Sequence, residues 1–127
     1  MINILYLFNI FECGHYCIKY ILRKDKIKLN LNYHRQFMNL NLVCKVLRHY
    51  YLKVECYRVN NVKNLLGTKR VLTLIQIAKK YNHYIVVEKI KNNKIYYYDP
   101  LFIGVRKMKL DKFEKVWVKC CCFIGKK

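Results

Sequence analysis

Residues 83–100 read HYIVVEKIKNNKIYYYDP, and this segment decides the fold of the second half of the chain. Two runs of β-branched and aromatic residues lie on either side of a short polar stretch, a pattern typical of two strands joined by a tight turn. The second run ends in Asp99 followed by Pro100, a pair that favours a turn. The segment therefore predicts a β-hairpin.

The two ends of this hairpin, His83 and Asp99, are an even number of residues apart. Because directly opposed residues share a face of a sheet, these two share one only if the loop has an odd number of residues. A three-residue loop over 91–93, with Asn93 in the left-handed conformation, meets this condition. It places Ile85 opposite Asp99 and His83 diagonal to it, roughly 7–8 Å away at the backbone. A two-residue Asn-Asn turn would instead put the two ends on opposite faces.

The first half of the chain has helical periodicity. From Cys13 the apolar positions follow helical spacing as far as the polar stretch RKDK at residues 23–26. The segment from about Leu31 to Met38 and the run NLVCKVLRHYY at residues 41–51 are predicted as two further helices.

The remaining segments are mostly strand-like. The link NVKNLLG is predicted as a short helical turn, and DKFEKVW as one helical turn with Asp111 as its cap. The predicted class is α+β, with N-terminal helices packed on an antiparallel sheet. The further strands are predicted at residues 53–59, 71–78, 106–110 and 116–124, and for residues 71–78 a helix is the alternative.

Length and composition fit a single domain over residues 1–127. A chain of 127 residues with 54% hydrophobic content can bury one core and is too apolar to be disordered. No apolar run has the length of a membrane span. The apolar start MINILYLFNIF lacks the basic region and the cleavage site of a signal peptide, so contact with a membrane surface or a partner is the alternative.

The formal net charge is +19, with Lys and Arg spread along the whole chain. Such a surface suits nucleic acid, an acidic peptide or an anionic lipid and does not select among them, so we expect no specific nucleic-acid partner.

Cysteine is abundant and serine is absent. The seven cysteines are an odd number without a secretion signal, so we expect a reducing cytosol and no disulfide framework. There is no C-x-x-C pair, and the consecutive cysteines at 120–122 alternate faces in a strand, which makes a poor zinc site. We therefore predict no metal and no cofactor. Without serine, covalent hydrolase chemistry must use cysteine or threonine.

Cys13, His83 and Asp99 are the candidate catalytic residues. Cys13 lies where a helix begins, and the helix dipole favours a thiolate there. A cysteine at a helix start followed much later by histidine and aspartate is the chain order of papain-like peptidases. Each residue also has an ordinary interpretation: a buried cysteine, a polar residue at a strand end and a turn former. Their order and common face favour the catalytic interpretation.

The other titratable residues are weaker candidates. Cys17, one turn after Cys13, is expected to be a packing residue. His15 is predicted to point away from Cys13. The rest, namely His34, His49, Asp25 and Asp111, are interpreted as surface, loop or cap residues.

These motifs resemble the bacteriocin-processing peptidases, the double-glycine leader peptidase domains of bacteriocin-exporting ABC transporters. That family has an acidic residue, Cys-Gly and a second cysteine at a helix start, as in ECGHYC from Glu12. It then has a histidine before an aromatic and β-branched run, a strand ending in Asp-Pro with a glycine soon after, and a Phe shortly before a Trp. HYIVVEKI, YYYDPLFIG and FEKVW match these blocks in order.

The resemblance implies a papain-like cysteine endopeptidase that cleaves leader peptides after a Gly-Gly pair during peptide maturation and export. Cys13 would be the nucleophile, His83 the acid–base residue and Asp99 its orienting partner. The implied partners are the leader peptide and the membrane and ATPase domains of an ABC exporter, in cis or in trans. The implied location is cytoplasmic, at the cytoplasmic face of the membrane.

The chain departs from the family at the oxyanion position. The family usually has a glutamine six residues before the nucleophile, where this chain has Leu7. Asn9 is the nearest side-chain amide and the candidate to assist the backbone N–H of Cys13. The alternative function is therefore a catalytically weak or inactive leader-binding domain. The third hypothesis is that the chain is a small basic nucleic-acid-binding protein.

Overall fold

The structure is a computed structural model, and it describes residues 12–65, 70–78, 81–102 and 104–125. Three α-helices are present in this part of the chain: α1 (Cys13–Lys24), α2 (Leu40–Tyr50) and the short α3 (Leu110–Val116). The predictions of α1 and α2 are confirmed, and the link after the first strand is a 3₁₀ helix over Val62–Leu65.

Six strands form one antiparallel sheet in the order β1-β6-β2-β3-β4-β5. The predicted class, helices packed on an antiparallel sheet, is confirmed. The strands are β1 (Val54–Arg58), β2 (Val71–Ala78), β3 (Tyr81–Lys91), β4 (Lys94–Tyr98), β5 (Val105–Lys109) and β6 (Trp117–Ile124).

Each face of the sheet carries its own hydrophobic core. Because side chains alternate along a strand, Leu72 and Val86 join the core under α1 and α2, whereas Val71 and Ile85 lie in the core on the opposite face. Phe113 of α3 lies in this second core. The sheet is thus covered on both faces, and α1, whose first residue is Cys13, packs mainly on β3.

The predicted helix over Leu31–Met38 is wrong. This segment is irregular, with a turn at residues 36–37. Its backbone is bonded from outside, since the hydroxyl oxygen of Tyr50 accepts the N–H groups of Asn30 at 3.0 Å and Leu31 at 3.1 Å. The pattern of apolar residues predicted a helix because it gives no information on the hydrogen bonds that Tyr50 of α2 makes with these N–H groups.

The predicted cap of the third helix is also wrong. The N-cap of α3 is Lys109, and Asp111 lies within the first turn, where its charge still favours the helix dipole. The cap of α2 follows the usual rule, because the side-chain oxygen of Asn39 accepts the N–H of Leu42 at 2.8 Å.

The expectation that the cysteines form no disulfide framework needs one correction, because Cys44 and Cys56 are disulfide-bonded. Cys44 lies on α2 and Cys56 on β1, so the bond joins a helix to an edge strand of the sheet. Spacing along the chain did not indicate this pair because the contact is made by the packing of α2 on the sheet. None of the helices in the described ranges is both long and apolar enough to span a membrane.

Candidate active site

His83 and Asp99 form a buried hydrogen-bonded pair. Nε2 of His83 lies 2.5 Å from Oδ1 of Asp99, and the two residues are 1% and 2% exposed. Because a carboxylate accepts, the imidazole donates from Nε2, which leaves Nδ1 for a second partner. The pair is therefore a histidine of fixed orientation with one nitrogen available for chemistry.

Asp99 is held in place by its own turn. Its Oδ1 also accepts the backbone N–H of Leu101 at 2.9 Å, and its carbonyl oxygen accepts the N–H of Phe102 at 3.0 Å. The same carboxylate oxygen of Asp99 therefore accepts the N–H of Leu101, which stabilises the turn, and accepts the hydrogen bond from His83. The turn-forming and histidine-orienting interpretations of this residue are compatible.

The register of β3 and β4, which brings His83 and Asp99 together, differs from the predicted register at the turn between the two strands. Lys91 pairs with Lys94, so the loop has two residues, and Asn92 and Asn93 are both left-handed, with φ of 53° and 61°. The predicted three-residue loop is wrong. A two-residue turn alone would have placed His83 and Asp99 on opposite faces.

A β-bulge at Glu88 restores the predicted facing. Val87 pairs with Tyr97 and Lys89 with Tyr96, so Glu88 is an extra residue in β3. Beyond it, Val86 pairs with Tyr98, and His83 reaches the carboxylate of Asp99.

Side chains of α1 hold this bulge. Glu88 accepts a hydrogen bond from the hydroxyl of Tyr20 and lies 3.2 Å from Nζ of Lys24. Both partners belong to α1, the helix that starts at Cys13. The element that presents the cysteine therefore also fixes the register of the strand that presents the histidine.

Cys13 is the first residue of α1 and lies close enough to His83 to act on its pKa. Burial alone would lower the pKa of His83, but the hydrogen bonds with Asp99 and Cys13, and the negative charges of both, raise it to about 9. A histidine with this pKa is an imidazolium at neutral pH, the state that stabilises a neighbouring thiolate.

Gly14 allows the helix start to approach β3 closely. A Cβ at this position would lie 3.3 Å from two ring carbons of Tyr84 and 3.4 Å from Cβ of Met38. Tyr84 follows His83 on β3, and its hydroxyl donates to the carbonyl of Met38 at 3.0 Å. A side chain at the position after the cysteine would therefore crowd the ring of Tyr84.

Glu12, the residue before Cys13, is buried and charge-paired. It is 7% exposed, and its Oε1 lies 2.7 Å from Nε of Arg35. Sequence reasoning missed Arg35 and Tyr84. Arg35 lies in the segment predicted as a helix, and no pattern linked it to Glu12; Tyr84, which directly follows His83, could have been suspected from its position.

The structure does not bring the other candidates to this site as reactive groups. Cys17 is fully buried, and burial raises the pKa of its thiol well above the usual value. Nδ1 of His15 lies 2.7 Å from the Tyr33 hydroxyl, and burial, followed by the charges of Arg35 and Lys19, lowers its pKa to about 4.

The remaining candidates lie on the surface or in structural contacts. His34, His49 and Asp111 are exposed. Asp25 bonds Arg70 and the hydroxyl of Tyr51. Leu7 and Asn9, on which the oxyanion prediction depends, lie outside the described residues.

Comparison with known proteins places the whole described chain in one family. The model of the peptidase C39 family matches residues 3–127. None of the curated proteins is significantly similar to the chain.

Solved structures share the fold at low sequence identity. A double-glycine motif protease from an AMS/PCAT transporter, solved with a leader peptide, is 23% identical, with a TM-score of 0.76 over 91% of this chain and 85% of that chain. The peptidase domain of Streptococcus mutans ComA is 18% identical, with a TM-score of 0.63 over 98% and 95%. A Streptococcus ComA peptidase domain, from a bifunctional ABC transporter of a quorum-sensing pathway, is 19% identical, with a TM-score of 0.59 over 100% and 96%.

Proposed function

The chain belongs to the peptidase C39 family, and from that premise we propose that it is a cysteine endopeptidase that cleaves leader peptides after a Gly-Gly pair. In this proposal Cys13 is the nucleophile, His83 the acid–base residue and Asp99 the group that orients His83. The observation that carries it is the buried imidazole of His83, which hydrogen-bonds Asp99 and lies close enough to Cys13 for the cysteine to act on its pKa.

In this proposal the resting site holds an ion pair. Since the pKa of His83 is raised to about 9, the imidazole keeps a proton at neutral pH, and the proposed counter-ion is the thiolate of Cys13. The position of Cys13 at the N-terminus of α1 places that thiolate at the positive end of the helix dipole. The thiolate is the nucleophilic form of cysteine.

Acylation follows from this ion pair. The thiolate of Cys13 attacks the carbonyl carbon of the second glycine, and the carbonyl oxygen takes the negative charge. When the C–N bond breaks, the imidazolium of His83 gives its proton to the leaving amine. The released product is the mature peptide, and the leader stays bound to Cys13 as a thioester.

Deacylation uses the same residues, with His83 now acting as a base instead of an acid. Neutral His83 takes a proton from water as the water oxygen attacks the thioester, and the leader leaves as a carboxylic acid, which loses its remaining proton to solvent. The C–S bond breaks and His83 returns the thiolate–imidazolium pair. Asp99 keeps the ring in one orientation through both steps because its Oδ1 is fixed by Leu101.

The oxyanion hole is the part of the site that differs from the family pattern. The backbone N–H of Cys13, in the first turn of α1, has no partner within the helix and is a suitable donor. We assign Asn9 as the side-chain donor in place of the missing glutamine, since Leu7 cannot donate. Loss of one such donor typically costs about 10²–10³ in rate.

The substrate assignment rests on family membership and on the fold. A structural relative is a double-glycine motif protease solved with its leader peptide. A narrow cleft that excludes side chains next to the cut would explain a requirement for glycine. In this proposal the chain works at the cytoplasmic face of a membrane with the membrane and ATPase domains of an ABC exporter, in cis or in trans.

The second candidate is a weak or inactive domain that binds the leader and delivers it to the exporter. The observation that favours it is Leu7 at the family's glutamine position. The pairing of His83 with both Asp99 and Cys13 favours catalysis, because leader binding requires no such arrangement.

Thiol labelling followed by peptide cleavage tests the proposal. The purified protein is treated near neutral pH with one equivalent of an alkylating agent, and the modified cysteine is mapped. Fast modification of Cys13, slowed in His83→Ala, is the expected result. A double-glycine leader peptide should then be cut after the second glycine, and a Gly-Ala version should not. Slow or indiscriminate labelling without cleavage favours the leader-binding candidate.

A further inference from the structure

Three cysteines outside the active site bring their sulfur atoms together between α2 and the sheet. Cys44 lies on α2, whereas Cys56 and Cys122 are directly opposed on the neighbouring strands β1 and β6. The three sulfur atoms lie within 4.8 Å of one another. Sγ of Cys44, already bonded to Cys56, is 3.3 Å from Sγ of Cys122.

A disulfide accounts for only two of these three sulfurs. The third, on Cys122, is fully buried against the bonded pair, and Cys56 is the partly exposed member of the cluster. In a reducing compartment the Cys44–Cys56 bond opens, taking two electrons and two protons from a thiol or phosphine reductant. The same positions then hold three thiols that point at one location.

We propose that, in this reduced form, Cys44, Cys56 and Cys122 bind one Cu⁺ ion. Thiolates are soft ligands that select soft ions such as Cu⁺ and Zn²⁺. Three sulfurs complete a trigonal Cu⁺ site, whereas structural Zn²⁺ almost always takes four ligands. Over the described residues, no further Cys, His, Asp or Glu belongs to this group, which favours Cu⁺.

Binding replaces S–H bonds with Cu–S bonds and releases the thiol protons, so the site gains negative charge. The guanidinium of Arg48 lies close enough to Cys122 to act on its charge, and its Nε donates to the carbonyl of Val54 at 3.2 Å. A fixed positive group therefore partly offsets the charge of a copper–thiolate centre. The ion would join α2, β1 and β6 independently of the proposed peptidase activity.

Copper binding by the whole chain tests the proposal. The protein is reduced with a phosphine without oxygen, desalted and titrated with Cu⁺ against a chromogenic Cu⁺ chelator. Elemental analysis should give one copper per chain, and X-ray absorption spectroscopy should give three sulfur ligands. Cys56→Ser, a change at the partly exposed member, should lose the copper while keeping the fold by circular dichroism.

Two variants separate this site from the other thiols. Cys120→Ser changes a partly exposed cysteine of β6 outside the cluster, and Cys13→Ala removes the proposed nucleophile. Both should keep one copper per chain. The proposal is overturned if the wild type binds no copper, if Cys56→Ser binds it equally well, or if the ion has fewer than three sulfur ligands. The last measurement uses the wild type alone and so does not depend on the folding of a variant.

Discussion

Gly14 packs closely against the ring of Tyr84, so that a side chain at this position would crowd the ring. A Cβ at Gly14 would lie 3.3 Å from both Cδ2 and Cε2 of Tyr84. The ring cannot easily move aside, because Tyr84 is 5% exposed and its hydroxyl is bonded to the carbonyl of Met38. Since Tyr84 follows His83 and Gly14 follows Cys13, this contact sets how closely the two proposed catalytic residues approach.

We therefore predict that Gly14→Ala damages activity more than stability. The added methyl requires a shift of a few tenths of an ångström between the start of α1 and the ring of Tyr84, and a misplacement of about 1 Å can cost about 10²-fold in rate. The gain in helix propensity, about 1 kcal/mol, partly offsets the crowding in the folded state. Peptide cleavage should show kcat/KM about tenfold lower, whereas thermal unfolding should change little.

Gly125→Ala is the matched control for this prediction. A Cβ there would also be crowded, at 3.1 Å from Cβ and 3.2 Å from the carbonyl oxygen of Lys53, but this glycine follows β6 beside the start of β1. The variant should lose stability and keep its kcat/KM. Equal kcat/KM for Gly14→Ala and the wild type would show that the close approach to Tyr84 is not needed for chemistry.

The two cysteines of α1 should respond differently to replacement by alanine. Cys13→Ala should abolish turnover and keep leader binding, because it removes only the proposed nucleophile. Cys17→Ala should keep kcat/KM and lose about 1 kcal/mol of stability, because its buried thiol only fills space. Cleavage assays and urea unfolding measure the two effects. Residual cleavage by Cys13→Ala would remove it as the nucleophile.

The raised pKa of His83 predicts how activity and stability change with pH. Its pKa is about 9 in the folded chain and about 6.5 in an unfolded one. The stability contributed by its partners is thus fully present below about pH 6.5 and is lost as the pH rises through about 9. Because the imidazolium must protonate the leaving amine, kcat/KM should fall over the same alkaline range.

Asp99→Asn tests which group sets this alkaline limit. The amide oxygen can still accept the N–H of Leu101, so the turn is retained, but the negative charge beside His83 is lost. We expect the alkaline limb of kcat/KM to move to lower pH and activity to fall between those of the wild type and Cys13→Ala. An unchanged pH profile with full activity would mean that Asp99 acts only as a turn residue.

Local patterns predicted much of this structure because they depend on neighbours along the chain. The periodicity after Cys13 predicted α1, and the alternating runs around 83–98 predicted β3 and β4. Two features depend on tertiary packing and have no local pattern. The Tyr50 hydroxyl accepts backbone N–H groups at the start of the segment predicted as a helix. The packing of α2 on the sheet brings Cys44 to Cys56.

The β3–β4 hairpin contains both a feature that the sequence predicted and a feature that it did not. The even spacing of His83 and Asp99 led to the prediction that the two lie on one face, and they are hydrogen-bonded in the structure, but the prediction placed the irregularity in the loop. The chain has its extra residue at Glu88 instead, where Tyr20 and Lys24 of α1 bond the carboxylate. A bulge held by side chains from a distant helix leaves no signal in the hairpin sequence.

The two-residue turn makes a last prediction that separates the observed register from the predicted one. Asn92 has φ of 53° and Asn93 has φ of 61°, so both positions are left-handed. In a three-residue loop only Asn93 would need that conformation. Asn92→Ala should therefore cost about 1–2 kcal/mol of stability by urea unfolding.

Lys91→Ala, a change at the exposed neighbouring residue, is the control and should stay within about 0.5 kcal/mol of the wild type in stability. Both variants should keep kcat/KM, since the pairing of Val86 with Tyr98 lies beyond the bulge. A neutral Asn92→Ala would mean that the turn has three residues.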